Sequence, residues 1–188
     1  MPVNAAPGRL RIVQEFVNTF DVEEDRESVA TAAELAAWLQ DRGLLPDGAL
    51  DEADHALALQ VRETLRRLLL ANHGGRPDPA DLALLDRVAA ESQLTPRFEA
   101  GAVRLEPAAG GGVGALGRLV AIVAEAVGEG TWSRLKACSE HGCQWAFYDR
   151  SKNRSGHWCS MLVCGNRAKA RQFRERRRRS GAPARGEG

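Results

Sequence analysis

The chain carries four cysteines, Cys138, Cys143, Cys159 and Cys164, with four residues inside each pair and fifteen between the pairs. Two short-spaced pairs at that separation form the layout of a four-thiolate zinc site, each pair supplying two ligands from one turn. Thiolate is soft and Zn²⁺ borderline-soft, so zinc is favoured over magnesium or calcium. Four protein ligands leave no open position for water, which predicts one structural zinc. Four reduced thiols or an iron–sulfur cluster are the competing readings. His141 and His157, beside the pairs, could each replace a cysteine. A segment this small buries too little surface to fold alone, so the metal would supply folding free energy. The aromatic residues crowded here, Trp132, Trp145, Phe147, Tyr148 and Trp158, are expected to form a mini-core around it, with base stacking as the alternative.

Charge divides at the same place. Residues 1–130 hold 12 Lys/Arg against 21 Asp/Glu, a net −9, and residues 131–188 hold 14 against 4, a net +10. The formal total of +1 hides this split. An acidic module joined to a basic one points to a polyanionic partner for the latter. The N-terminus lacks a secretory signal, no apolar stretch approaches the ~20 residues that span a bilayer, and the cysteines cluster as in a reducing compartment. The expectation is a cytoplasmic protein with no membrane partner.

Most of the acidic part reads as helix. Leu10, Val13, Phe16, Val17 and Phe20 recur at a helical period, which the acidic run 22–27 interrupts. Thr31 and Glu34 form a capping box before Leu35, Trp38 and Leu39, and Gly43 suits the helix end. A longer helix is predicted from near Leu50 to before Gly74-Gly75, with Leu57, Val61, Leu65, Leu68 and Leu69 as its stripe. Asp78-Pro79 opens another, burying Leu82, Leu85 and Val88. Phe98, Val103 and Leu105 around Ala100-Gly101 predict a short β-hairpin. Residues 108–112 read as a flexible connector to a helix through Leu116, Leu119, Val120, Val123 and Val127, ended by Gly128-Glu129-Gly130. The titratable residues fall on polar helix faces, and His55 and His73 read as surface or capping residues. No phosphate-binding glycine motif, nucleophile elbow or acid/base constellation appears, and the His-x-Glu motif of zinc deaminases is missing, so an enzyme is not expected.

The basic part presents two elements. The loop 149–156 lies between the cysteine pairs and carries Arg150, Ser151, Lys152, Asn153 and Arg154. A helical stretch after Cys164 places Arg167, Arg171, Arg174 and Arg178 on one face, with Asn166 and Lys169 beside them, while Ala170 and Phe173 are placed to dock the helix on the zinc module. A metal-braced loop and helix of this composition look like a nucleic-acid reading head, the helix suiting the major groove and the loop the phosphates. The alternative for Arg176–Arg179 is a solvated tail adding only sequence-independent attraction.

Residues 138–174 resemble the CGNR zinc finger through Cys164-Gly165-Asn166-Arg167, Phe147-Tyr148-Asp149-Arg150-Ser151, Trp158-Cys159-Ser160-Met161 and Lys169-Ala170-Arg171. The preceding part is similar to the ABATE domain through Phe16-Val17-Asn18-Thr19 and Leu35-Ala36-Ala37-Trp38-Leu39, with Gln14 where that motif has an aliphatic residue. The resemblance implies a bacterial stress-responsive transcription regulator with a helical N-terminal domain and a C-terminal zinc-bound DNA-binding module. Asn18, the polar residue of the ABATE motif, would contact a ligand or bond backbone.

The expectation is thus a mainly α chain. Residues 1–130 form a helical domain with a short hairpin that senses a small molecule or mediates homodimerisation. Residues 131–180 form a treble-like or ribbon-like zinc module with a basic C-terminal helix that binds double-stranded DNA, and residues 181–188 form a disordered tail. The competing function is an RNA-binding or protein-interaction zinc module.

Overall fold

The computed structural model describes residues 4–179; the expected tail at 181–188 lies outside them. The chain is mainly α. Helices α1 (Leu10–Val17), α2 (Ala32–Asp41), α3 (Glu52–Ala71), α4 (Pro79–Glu91) and α5 (Gly111–Gly128) precede the zinc-binding region, and α6 (Asn166–Arg179) follows it. Three antiparallel hairpins complete it: β1 (Phe20–Asp21) with β2 (Arg26–Glu27), β3 (Leu94–Glu99) with β4 (Ala102–Pro107), and β5 (Leu135–Ala137) with β6 (Ala146–Tyr148).

Local signals set the helix starts. Thr31 and Glu34 make the reciprocal bonds of a capping box, Asp51 and Asp54 make another, and Asp78 caps α4 ahead of Pro79. The helices pack through Leu10, Val13, Phe16, Leu35, Leu39, Val61, Leu65, Leu69, Leu85, Val88, Leu116, Leu119 and Ile122. Burial of such side chains is worth about 1.5–3 kcal/mol each.

Several expectations need correction. The helical period does not run through Phe20: α1 stops at Val17, and the acidic run becomes the turn of β1–β2 with Asp25 at φ +49°. Leu82 is exposed while Leu85 and Val88 are buried, because α4 turns only part of its apolar stripe toward α5. The glycines at 110–112 are not a loose connector. Helix α5 begins at Gly111 and needs its glycines to approach its neighbours: a Cβ on Gly114 would stand 2.2 Å from the Ala109 carbonyl oxygen, and one on Gly117 2.4 Å from Ser92 Oγ. Helix α5 is also 18 residues long and apolar enough, by length and composition, to cross a membrane. It is mostly buried because it packs against α1, α3 and α4, as a core helix does.

Buried polar groups on α3 escaped the sequence reading. Arg62 and Arg66 are almost fully buried. Arg62 pairs with Glu27 at 2.7 Å and donates to Thr19 Oγ1 at 3.1 Å. Arg66 donates to the Val17 carbonyl at 2.7 Å, to Phe20 O at 3.2 Å and to Gln144 O at 3.1 Å. A cation on the orphan carbonyls of the α1 terminus is favourable, and the same side chain ties α1 to the zinc region. His55 is buried too, with Nε2 2.8 Å from Val29 O.

Candidate metal centre and nucleic-acid face

The hairpin β5–β6 carries the first cysteine pair. Cys138 N donates to Trp145 O at 3.0 Å, and Cys143 and Gln144 both donate to Glu140 O, closing a tight knuckle with Gln144 at φ +49°. Cys159 precedes and Cys164 lies within a turn of π-helical geometry over Met161–Gly165, from which α6 continues. A Cβ on Gly165 would meet Met161 Sδ at 3.0 Å, so the glycine lets the turn close on itself.

The four sulfurs lie within 4.8 Å of one another. Cys143 Sγ stands 3.6 Å from Cys159 Sγ, which stands 3.7 Å from Cys164 Sγ. Tetrahedral zinc at ~2.3 Å from each sulfur implies S···S separations of roughly 3.8 Å, so the cluster fits that ion. The four thiols interact strongly with one another. Hydrogen bonds from Cys143 and Cys159 hold the Cys138 thiol far below its usual range. The bond to Cys138 in turn raises Cys143 and Cys159, and burial raises Cys164. Four sulfurs this close share little negative charge until a dication joins them. The chain therefore holds one structural zinc between Cys138, Cys143, Cys159 and Cys164. His141 and His157 are outside this cluster. His157 instead stacks on His73, with centroids 4.9 Å apart and planes 12° off parallel. His73, read from sequence as a surface residue, is half-buried and bonds Ala137 O at 2.7 Å. Burial lowers its pKa.

The zinc region is joined to the helices. Leu135, Ala137, Ala146 and Tyr148 belong to the same apolar core as α1, α3 and α5. Asn18 makes a strand-like pair with Ala146: its Nδ2 donates to the carbonyl at 2.9 Å and its Oδ1 accepts from the amide at 2.7 Å. Gln14, the departure from the ABATE motif, is buried and uses its carboxamide in the same way, accepting from Ala6 N and donating to Ala146 O. Asn72 Nδ2 donates to Leu135 O at 2.8 Å and to Trp132 O at 3.0 Å. Trp145 and Trp158 pack against the cysteines, but Tyr148 and Trp132 join the main core and Phe147 is buried, so only part of the aromatic set expected around the metal surrounds it.

The basic loop is built on one lysine that sequence reasoning passed over. Lys136, on β5, is buried and pairs with Asp149 at 2.9 Å. Its Nζ also donates to the carbonyls of Arg154 and Gly156. Asp149 accepts from Ser151 N and Gly156 N. Burial pushes the Asp149 carboxyl up, but the bonds from Lys136 and Ser151 more than offset this and hold it well below the usual carboxylate range. In sequence Lys136 merely alternates with the apolar Leu135 and Ala137, and alternation does not say that a lysine faces inward.

The structure places the expected nucleic-acid contacts as follows. Arg150 donates to Ala5 O at 2.9 Å, and Ser151 Oγ accepts from Ser155 N. Lys152, Asn153 and Arg154 are exposed, Arg154 at φ +53°. Asn166 Nδ2 donates to Leu162 O at 3.0 Å. Arg167 pairs with Glu23 at 2.7 Å and Arg171 with Glu140 at 2.6 Å. Lys169, Arg174 and Arg178 are exposed. The docking of α6 is corrected: Ala168 is buried, whereas Ala170 is exposed and Phe173 is 61% exposed. Cys164 fixes the helix phase, so the residue one turn on, Ala168, takes the inner position.

A helical region sharing its core with a four-thiolate finger defines a class, a zinc-finger protein with an N-terminal helical region. Residues 134–177 match the CGNR zinc finger family, and residues 10–130 match the ABATE family, described as "Putative stress-induced transcription regulator". The chain belongs to the ABATE family. No curated protein matches it. These are regulator and zinc-finger families and not enzyme classes, which makes the chain a regulatory zinc-binding protein.

Proposed function

We propose that the protein is a bacterial, cytoplasmic transcription regulator that binds double-stranded DNA through its zinc region and performs no catalysis. One observation carries this reading: a single metal-braced unit organises both a basic loop, tied down by Lys136 and Asp149, and a basic helix that begins at Asn166, two residues after Cys164. Preorganised cations lose little entropy on meeting phosphates. Arg150, Ser151, Lys152, Asn153 and Arg154 would meet the backbone. Asn166, Arg167, Lys169, Arg171, Arg174 and Arg178 would lie along the groove. Trp132, Trp145, Phe147, Tyr148 and Trp158 all pack against protein, which favours duplex DNA over base stacking on single-stranded RNA.

Residues 1–130 would form the sensing or homodimerising domain and 131–180 the DNA-binding one. An apolar pocket of about 280 Å³ suits a small-molecule effector, lined by Leu68, Leu85, Val120, Val123 and Trp132 with Asn72 at its edge. Asn72 also bonds Leu135 O, so an occupant there would be felt at β5. Asn18, with its carboxamide on Ala146, serves in this reading as a coupling residue.

A salt titration of the full chain on duplex genomic fragments tests the proposal. Affinity should fall with a log–log slope of about −0.9 per phosphate neutralised. Absence of binding at low salt overturns it, and stronger binding to single-stranded RNA replaces it with the RNA reading.

A further inference from the structure

The turn between Cys159 and Cys164 exposes three consecutive apolar side chains. Met161, Leu162 and Val163 are 52%, 84% and 46% exposed. An apolar tip of this kind ordinarily folds back onto the nearest hydrophobic surface. Here it is held out, because both ends are zinc ligands and Gly165 N closes the turn on Ser160 O at 3.1 Å. Single π-helical turns recur at functional sites.

The exposed surface continues along α6. Asn166 Nδ2 donates to Leu162 O, which sets Leu162 one turn ahead of Asn166. Spacings of four, three and four then align Leu162, Asn166, Lys169 and Phe173 in one stripe, with Phe173 also largely exposed. Arg174 and Arg178 run beside it, and Glu175 is the one acidic residue of α6. A partner for this stripe must offer negative charge outside and an apolar interior within reach. Phosphates in front of stacked bases do so, and charge complementarity therefore selects duplex DNA over a neutral protein surface.

We propose that Leu162 is an apolar wedge that enters a base-pair step of duplex DNA and opens it, while Lys169 and Arg174 hold the flanking phosphates. Aliphatic side chains inserted this way partly unstack the step and kink the duplex. Opening a step requires a wedge that does not yield, and the zinc-pinned turn is rigid at both ends. The wedge rests on the duplex-DNA reading above and adds a mode of recognition to it: steps that unstack easily are bound best.

The test uses the full chain and a duplex fragment retained by the wild type at low salt, with 2-aminopurine scanned through its steps and end-to-end energy transfer reporting the bend. Binding should brighten 2-aminopurine at one step and shorten the end-to-end distance. Leu162→Ala should abolish both signals and weaken binding about tenfold, with zinc content and salt slope unchanged. Arg174→Ala should lower the salt slope by ~1 and keep both signals. Leu162→Ala that bends and unstacks DNA like the wild type overturns the wedge and leaves the duplex reading standing. No duplex binding by the wild type overturns both. If Leu162→Ala leaves DNA deformation intact but abolishes binding to phosphatidylglycerol vesicles or self-association in sedimentation, the stripe serves a membrane or a second copy, and the wedge is overturned.

Discussion

Toward the helices, the zinc-bearing region is gripped through its main chain; toward solvent, it presents charged side chains. On the inner side, Asn18 and Gln14 bond Ala146, Arg66 bonds Gln144, Asn72 bonds Leu135 and His73 bonds Ala137. These bonds are wholly or partly buried and specify backbone position. On the outer side, Arg167 and Glu23 are each about half exposed, whereas Arg171 meets Glu140, whose side chain is buried. Exposed ion pairs contribute little to stability and exchange readily with other anions. One side therefore positions the module, and on the other Arg167 is free to trade Glu23 for a phosphate, whereas Arg171 could leave Glu140 only at the cost of a buried, unpaired carboxylate.

The largest expected effect strikes what both sides share. Cys159→Ser removes a zinc ligand and with it binding free energy on the order of 10 kcal/mol. Because Leu135, Ala137, Ala146 and Tyr148 sit in the common core, the loss should reach beyond the finger. Metal analysis should show no bound zinc, α6 and β5–β6 should lose protection in hydrogen exchange, and the helical region should melt at a lower temperature. Full zinc retention would refute the ligand set, and an unchanged melt of the helices would refute the shared core.

Next comes the buried pair beneath the basic loop. Lys136→Met leaves Asp149 buried without its cation and should cost about 3–5 kcal/mol by chemical denaturation. Its pH dependence has a defined sign. The Asp149 carboxyl is held below its ordinary range, so the pair contributes fully above about pH 4 and is lost as pH falls below it. Wild-type stability should therefore drop more steeply on acidification than that of Lys136→Met, since the thiolates titrate alike in both. Parallel pH profiles would show that Lys136 is not what holds Asp149.

The inner grip was also the least legible part of the sequence. Helix caps at Thr31, Asp78 and Gly43, the hairpin around Gly101 and the cysteine set all follow from local rules acting within a few residues, and the structure keeps them. Asn18 to Ala146 spans 128 positions and Arg66 to Gln144 spans 78. No local pattern announces such a bond, because a buried Asn or Arg has the same periodicity as an exposed one. The same blindness placed Ala170 and Phe173 inward on α6. Periodicity gives a helix its faces, but the phase was decided by Cys164, a constraint from the metal. Asn18→Ala measures the grip directly. It leaves the Ala146 amide without its partner, while the carbonyl keeps Gln14, and should cost about 1–3 kcal/mol, with zinc content unchanged. A neutral result would mean that water replaces the side chain and the grip is loose.

The smallest effect belongs to the outer side and decides whether its ion pairs are more than ornament. Glu23 sits in the acidic turn of β1–β2, where Arg26 is drawn to Asp21 and Glu24, and it faces Arg167 on the basic helix. If α6 meets phosphates, Glu23 competes with them for the same guanidinium. Glu23→Gln keeps the shape, removes the charge and frees Arg167, so affinity for duplex DNA at low salt should rise a few-fold. The gain should fade as salt is added, since screening shortens to ~3 Å at 1 M. The melting temperature should not move, because the pair lies in water. A clear drop in melting temperature would reclassify Glu23–Arg167 as part of the grip, and the two sides would then differ in exposure alone. Unchanged affinity with unchanged melting would take Arg167 off the path of the phosphates and leave Lys169, Arg174 and Arg178 to carry the outer face.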